Sequence, residues 1–288
     1  MNKFFAFVKL MRPHQWIKNG FVFTGLVFAN AWADMNLLAQ VLIVAAGFSL
    51  LSSSVYVFND IVDREVDRLH PRKKHRPIAS GAISVSQAWV FGAGLMLLSL
   101  LTTWLYVGST VTYILLAYLV INLAYSFGLK HVVILDVFLI AAGFMLRILS
   151  GTLGVAIEPS SWLLLTGMMV TLFLGFTKRR AEMELADGKK RKVLEHYDER
   201  MLDVMIAATA AGVVLSYSLY TVSSETIAYH GTDALVYTSP LIMYGMFRYL
   251  YLLYIQKGGE DPAGEVIKDK HILFTVLLWL ATTVMILA

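Results

Sequence analysis

Nine stretches of mostly apolar residues recur along this chain, at about 17–33, 39–58, 87–106, 110–127, 132–151, 161–177, 202–222, 235–256 and 271–287. A helix rises about 1.5 Å per residue, so roughly 20 such residues match the hydrocarbon thickness of a bilayer. Hydrophobic residues make up 58% of the 288 and charged residues 15%; a soluble domain has about 45–50% and 25%. The excess apolar surface calls for lipid around it. The expected architecture is an all-α polytopic membrane protein of nine transmembrane helices, folded as one domain over residues 1–288.

The basic residues give an independent count. Of the 24 Lys and Arg, all but Arg147 and Arg248 fall in the N-terminal segment and in alternate loops, after the second, fourth, sixth and eighth spans. The intervening loops and the C-terminus have none. The positive-inside rule then puts the N-terminus in the cytoplasm and the C-terminus outside, in the inner (cytoplasmic) membrane. Met1–Leu10 has no small-residue cleavage site behind an apolar region, so no signal peptide is expected. The absence of cysteine excludes disulfides and thiolate metal sites. The net charge of +4 is explained by loop placement, and nucleic acid is not an expected partner.

Two cytoplasmic loops, at about 59–86 and 178–200, are long and mix acidic with basic residues. They lie four spans apart, which suggests a weak internal repeat. The first opens Asn59-Asp60-Ile61-Val62-Asp63-Arg64-Glu65-Val66-Asp67. On a continuous helix Asp60, Asp63 and Asp67 fall within about 60° of one another. Like charges at this spacing repel, and a hard divalent cation such as Mg²⁺, holding diphosphate oxygens, removes that repulsion. A salt-bridged helix end is the alternative. Downstream, His70-Pro71-Arg72-Lys73-Lys74-His75-Arg76-Pro77 is a basic, proline-bounded run. It suits either phosphate contacts or lipid headgroups; Arg76, held before Pro77, is the favoured phosphate ligand.

The second loop opens Lys178-Arg179-Arg180-Ala181-Glu182, whose charges either face a cavity or form a solvated helix extension. Arg147 lies within the fifth span, where a charge is costly and a functional candidate; a structural hydrogen bond to a neighbouring helix accounts for it equally well. Asp136 precedes it by three turns, about 16 Å, too far to pair. Lys18 and Asn19 at the start of the first span, and Tyr125 and Lys130 at the end of the fourth, sit at the cytoplasmic level. Trp16, Trp89 and Trp162 read as interfacial anchors.

The Asn59–Asp67 motif on the second of nine spans, with a second charged loop after the sixth, resembles the UbiA superfamily of intramembrane prenyltransferases across essentially the whole chain. The resemblance implies a helical bundle around a central cavity open to lipid, with Mg²⁺ and a diphosphate held by Asn59, Asp60, Asp63 and Asp67. Further pieces resemble a branch that transfers phosphoribosyl groups: Arg12-Pro13-His14-Gln15-Trp16-Ile17-Lys18-Asn19, Arg76-Pro77-Ile78-Ala79-Ser80-Gly81, Asp136 through Arg147, Lys178-Arg179-Arg180-Ala181-Glu182, and Phe247-Arg248-Tyr249. For that branch the donor is 5-phosphoribosyl 1-pyrophosphate and the acceptor a polyprenyl (decaprenyl-like) phosphate. The implied contacts are Lys18, Asn19, Asn59, Arg76, Tyr125, Lys130, Arg147, Lys178, Arg179 and Glu182, and the implied context is cell-envelope biosynthesis, with a homo-oligomer left open.

One departure bears on the donor. The superfamily's second D-x-x-x-D motif is replaced in the loop at 178–200 by Lys178, Arg179, Arg180, Glu182 and Glu184. Extra cations suit a donor with a further phosphate and weaken a prenyl diphosphate. The nearest rival remains prenyl transfer to an aromatic acceptor. A CDP-alcohol phosphotransferase lacks its D-x-x-D-G-x-x-A-R signature here. A transporter would carry midplane polar residues on broken helices, whereas these cluster at one face.

Overall fold

Side-chain caps open the long helices where the apolar runs begin. Asp34 accepts from the backbone N–H groups of Asn36 and Leu37, Ser84 and Gln87 form a reciprocal capping box, and Ser160, Asp198 and Asp269 cap three more. Each satisfies donors that a helix start leaves without an intrahelical partner. The computed structural model describes residues 3–71, 73–184, 192–259 and 262–288, and within them every regular element is helical. Arg72, residues 185–191 with Lys189, Lys190 and Arg191, and the Glu260-Asp261 pair lie outside the described residues.

The chain divides into two compact units, Met1–Ser126 with Leu146–Glu158, and Phe127–Met145 with Pro159–Ala288. The first contains α1 (Lys3–Met11), a 3₁₀ run (Pro13–Phe23), α2 (Thr24–Phe28), α3 (Met35–Val62), α4 (Arg64–Leu69), α5 (Val85–Tyr106) and α6 (Ser109–Phe127). Helix α3 is its axis: Val41, Val44, Phe48, Leu51 and Val55 are buried with Val22, Leu115 and Tyr118. Small residues bring α3 and α5 together, with Ser99 donating to the Gly47 carbonyl (2.7 Å) and Ser54 to that of Gly92 (2.8 Å). This is how membrane helices associate where burial of apolar surface cannot drive them. The tightest approach joins Gly25 and Gly151: a Cβ on Gly151 would lie 1.7 Å from the Val22 carbonyl oxygen.

Helix α7 (Leu135–Ser150) ends in the first unit and begins in the second. The second unit continues with α8 (Ser161–Met183), α9 (Glu199–Val222), α10 (Ser224–His230), α11 (Ser239–Tyr254), α12 (Pro262–Lys268) and α13 (Lys270–Leu287). Its core gathers Val137, Phe173, Phe176, Leu202, Ile206, Tyr249 and Leu253, together with Val193, Leu194 and Tyr197 from the second charged loop. Arg248 on α11 and Asp269 at the start of α13 form a two-bond pair at 3.2 and 2.8 Å. Its Arg248 hydrogen bond holds the Asp269 carboxyl below the usual carboxylate range.

Among the described residues seven helices are long and apolar enough to cross a membrane: α3, α5, α6, Leu135–Val155, α8, α9 and α13. The other two expected spans are built differently. Residues 17–33 are a 3₁₀ run continuing into α2, and 235–256 begin as a 3₁₀ turn before the 16-residue α11. Proline accounts for part of this: Pro13 and Pro240 sit in the first turns of the 3₁₀ run and of α11, where their fixed φ and missing N–H are tolerated. Apolar side chains such as Val90, Leu105, Val120, Leu215 and Met285 are exposed on these helices, as a lipid-facing surface requires. The chain is an integral membrane protein.

Candidate active site

In the first unit the acidic motif is split by a break in the helix. Helix α3 ends at Val62, Asp63 is its C-cap with ψ 0°, and α4 restarts at Arg64. Asp60 and Asp67 are 3% and 1% exposed, and they converge on one cation. Arg76 Nη1 donates to Asp60 Oδ1 at 3.1 Å and to Asp67 Oδ2 at 2.6 Å. Arg12 donates to the same Asp60 oxygen and lies 4.9 Å over the Tyr56 ring. Asp60 and Asp67 are thus joined through Arg76, and Asp63 is half-buried at the break. Asn59 Oδ1 accepts from Ser126 Oγ at 3.0 Å.

The basic run is anchored. Ile78 and Ile83 are buried with Ala6, Leu10 and Val57, Arg68 Nε donates to the Ala79 carbonyl at 3.3 Å, and Lys9 Nζ to that of His75 at 3.3 Å. Folding the loop onto α1 and α3 aims Arg76 inward. Arg12 enters the sequence reasoning only within the stretch at 12–19, with no site role there. It stands at φ 54° between Met11 and Pro13, where proline disfavours helical backbone in the residue before it; that signal marks the break, though not its partner.

Two carboxylates that already enclose a cation, with an amide carbonyl and a third carboxylate in the same motif, are the hard oxygen donors that Mg²⁺ takes. In the present side-chain arrangement no three His, Asp or Glu groups among the described residues converge on one point, and Arg76 is bonded to both Asp60 and Asp67. The donor chemistry fits the ion once guanidinium gives way to it.

Deeper in the first unit, Arg147 is buried on α7. Its Nε donates to Asn19 Oδ1 (2.8 Å) and its Nη2 to Tyr118 Oη (3.2 Å), and it faces the rings of Phe48 (5.3 Å) and Tyr118 (4.8 Å). Asn19 Nδ2 donates in turn to Ser49 Oγ at 2.8 Å. Arg147 thus ties the 3₁₀ run to α3 and α6, within the structural alternative the sequence left open. Lys18, one residue before Asn19, and Tyr125 on α6 are half-buried.

The second unit holds a separate buried cluster. Arg179 is 0% exposed, as is Asp136. Arg179 Nε donates to Asp136 Oδ2 at 2.6 Å, and its Nη1 donates to Glu182. Tyr197 Oη donates to Asp136 Oδ1 at 2.7 Å and accepts from the backbone N–H of Ile134 at 2.7 Å. Burial and the Asp136 hydrogen bond push the Tyr197 phenol above its ordinary range. Lys178 and Lys130 are half-buried beside this cluster in sequence, while Arg180 turns to Asp203, Glu184 and Glu199. Sequence reasoning did not single out Tyr197; an aromatic residue in a charged loop carries no periodicity to mark it.

A family model described as the UbiA prenyltransferase family matches residues 20–265. The decaprenyl-phosphate phosphoribosyltransferase of Mycolicibacterium smegmatis is 32% identical over 96% of this chain and 90% of its own length. That of Corynebacterium glutamicum is 33% identical over 96% of this chain and 85% of its own. A UbiA homologue from Archaeoglobus fulgidus, solved bound to GPP and Mg²⁺, superposes with a TM-score of 0.72 over 98% of this chain and 99% of that one, at 19% identity.

Proposed function

The chain belongs to the UbiA prenyltransferase family, and we propose that it transfers the 5-phosphoribosyl group from 5-phosphoribosyl 1-pyrophosphate to a polyprenyl phosphate, releasing pyrophosphate. The observation that carries this reading is identity of 32–33% over 96% of the chain to relatives named decaprenyl-phosphate phosphoribosyltransferase. Both units act as one UbiA-like domain in this reading, because the family match runs through both.

An oxygen of the acceptor phosphate forms a bond to ribose C1 as the C1–O bond to pyrophosphate breaks, and the electron pair leaves with pyrophosphate. The acceptor is already an anion, so no general base is required. Asn59, Asp60, Asp63 and Asp67 would hold Mg²⁺, which would supply charge neutralisation for the departing diphosphate. Arg76 and Arg12 lie on Asp60, and a guanidinium released from a carboxylate offers the paired donors that phosphate oxygens accept. In the first unit Lys18 is the candidate point charge for a phosphate, with Asn19 and Tyr125 as neutral contacts and Arg147 holding Asn19 in place; in the second unit the candidate phosphate contacts are Lys130 and Lys178. Arg179, enclosed by Asp136 and Glu182, serves through Glu182. The polyprenyl tail lies in the lipid-facing apolar part of the fold.

The test is mass spectrometry of the products formed by purified protein with Mg²⁺, labelled phosphoribosyl pyrophosphate and a polyprenyl phosphate. The expected products are a polyprenyl-phosphoryl-5-phosphoribose and pyrophosphate in equal amounts. Prenyl transfer from a prenyl diphosphate to an aromatic acid, with no turnover of phosphoribosyl pyrophosphate, would overturn the reading in favour of its rival.

A further inference from the structure

The second unit contains a strained backbone position whose N–H is held by a side chain from a distant loop. Ile134 stands at φ 69° immediately before α7. A β-branched residue in the left-handed region is strained, and such strain persists only where the surroundings hold it. Its N–H is taken by Tyr197 Oη at 2.7 Å, and the same hydroxyl donates to Asp136 Oδ1 at 2.7 Å. Asp136 Oδ2 receives Arg179 Nε at 2.6 Å, and Arg179 also holds Glu182. The turn held by Tyr197 begins with the 3₁₀ segment Leu129–His131, which carries Lys130.

We infer that Tyr197 is a positioning residue for the transfer reaction: its hydroxyl locks the strained turn at Ile134 to the Asp136–Arg179 pair, and so fixes Lys130 where it meets the phosphates of the donor. The inference rests on the function proposed above. Three features make Tyr197 the keystone of this cluster. It bridges the turn's backbone to the buried ion pair. Its phenol, pushed above the ordinary range by burial and by Asp136, stays protonated and so remains a donor to the carboxylate. It is also packed into the unit's core beside Val193 and Leu194, which keeps the hydroxyl in place.

Tyr197→Phe deletes the hydroxyl and keeps the ring. It should raise KM for phosphoribosyl pyrophosphate about tenfold, the factor set by ~1.4 kcal/mol of lost positioning, with kcat changed much less and the unfolding temperature in detergent lowered by a few degrees, because Asp136 Oδ1 and the Ile134 N–H lose their partner. In the Ile134→Gly background the left-handed turn needs no support, so the KM penalty of Tyr197→Phe should shrink to about threefold or less, a coupling that independent sites do not show. Hydrogen exchange read by mass spectrometry needs no turnover, and it should speed up in Tyr197→Phe for peptides covering residues 128–136 but not for those of α9. Unchanged KM in Tyr197→Phe, or the same penalty in both backgrounds, would overturn the positioning role. Unchanged exchange at 128–136 would overturn the structural link even if the parent enzyme proved to use another donor. Failure of the parent to turn over phosphoribosyl pyrophosphate, with exchange altered as expected, would instead sink the function and leave the lock standing.

Discussion

Asp60 and Asp63 are three residues apart and have opposite surroundings. Asp60 is buried beneath Arg12 and Arg76, whereas Asp63, at the helix break, takes part in no ion pair among the described residues. Both belong to the proposed metal motif, so Asp60→Asn and Asp63→Asn should each remove most of the turnover with Mg²⁺. Their stabilities should separate. Removing a buried charge that two guanidiniums share should cost about 1–3 kcal/mol, while Asp63→Asn should stay within about 0.5 kcal/mol of the parent. Turnover assays beside thermal unfolding in detergent read both effects, and near-normal turnover in Asp63→Asn would take Asp63 out of the motif. Residue types were readable from the sequence at this scale; partners were not. The spacing of Asp60, Asp63 and Asp67 pointed to a shared cation, but it assumed an unbroken helix, and nothing local announced that Arg12 folds back from 48 positions away. Arg179 shows the same limit. A charge at the mouth of a loop read as a phosphate ligand, and its burial between Asp136 and Glu182 depends on long-range packing. Charge reversal there would place three acidic groups together in a buried site, so Arg179→Gln is the more informative variant.

Helices were legible where periodic apolar runs met a cap, and less so where glycine and proline set the backbone. Asp34, Ser84, Ser160, Asp198 and Asp269 stand at or just before the starts of the apolar runs, and each caps a helix. The segment at 17–33 is as apolar as a spanning helix, yet it folds as a 3₁₀ run and α2 because its role is close packing. Gly25 meets Gly151 so closely that a Cβ on either would strike the other segment's backbone, at 2.3 Å from the Gly151 oxygen or 1.7 Å from the Val22 oxygen. Hydropathy cannot see this, because glycine's use here is the absence of a side chain. Gly151→Ala should therefore cost about 3 kcal/mol or more, through overpacking that no rotamer change can relieve. Gly94→Ala is the control. Nothing lies within 4 Å of its Cβ position on α5, so the substitution should be neutral or stabilising by up to about 1 kcal/mol from helix propensity. Yield of monodisperse protein and its unfolding temperature decide the comparison, and equal behaviour of the two variants would refute the close approach.

For the whole molecule, the alternation of basic loops was the strongest signal in the sequence, since it depends on every loop at once and on no single boundary. It also leads to a prediction that survives the difference between nine expected spans and seven long apolar helices. If the segments at 17–33 and 235–256 both cross the membrane by mixed 3₁₀ and α structure, the first and second charged loops share the cytoplasmic side and the loop near 231–233 lies outside. If neither crosses, the chain between Ser80 and Glu195 still contains four long apolar helices, α5, α6, Leu135–Val155 and α8, so those two positions stay on one side. Asp233 is separated from Glu195 by α9, an odd number of crossings, and falls on the other. With no native cysteine, Ser80→Cys, Glu195→Cys and Asp233→Cys each give a single label site, and all three positions are exposed. In intact cells an impermeant maleimide should modify only Asp233→Cys, and the other two should react after permeabilisation. The expected direction comes from the placement of Lys and Arg, since the positive-inside rule predicts a cytoplasmic position for the loops holding Arg76 and Lys178. Labelling of Glu195→Cys and Asp233→Cys from the same side would refute a membrane crossing by α9, and labelling of Ser80→Cys and Glu195→Cys but not Asp233→Cys from outside would invert the orientation.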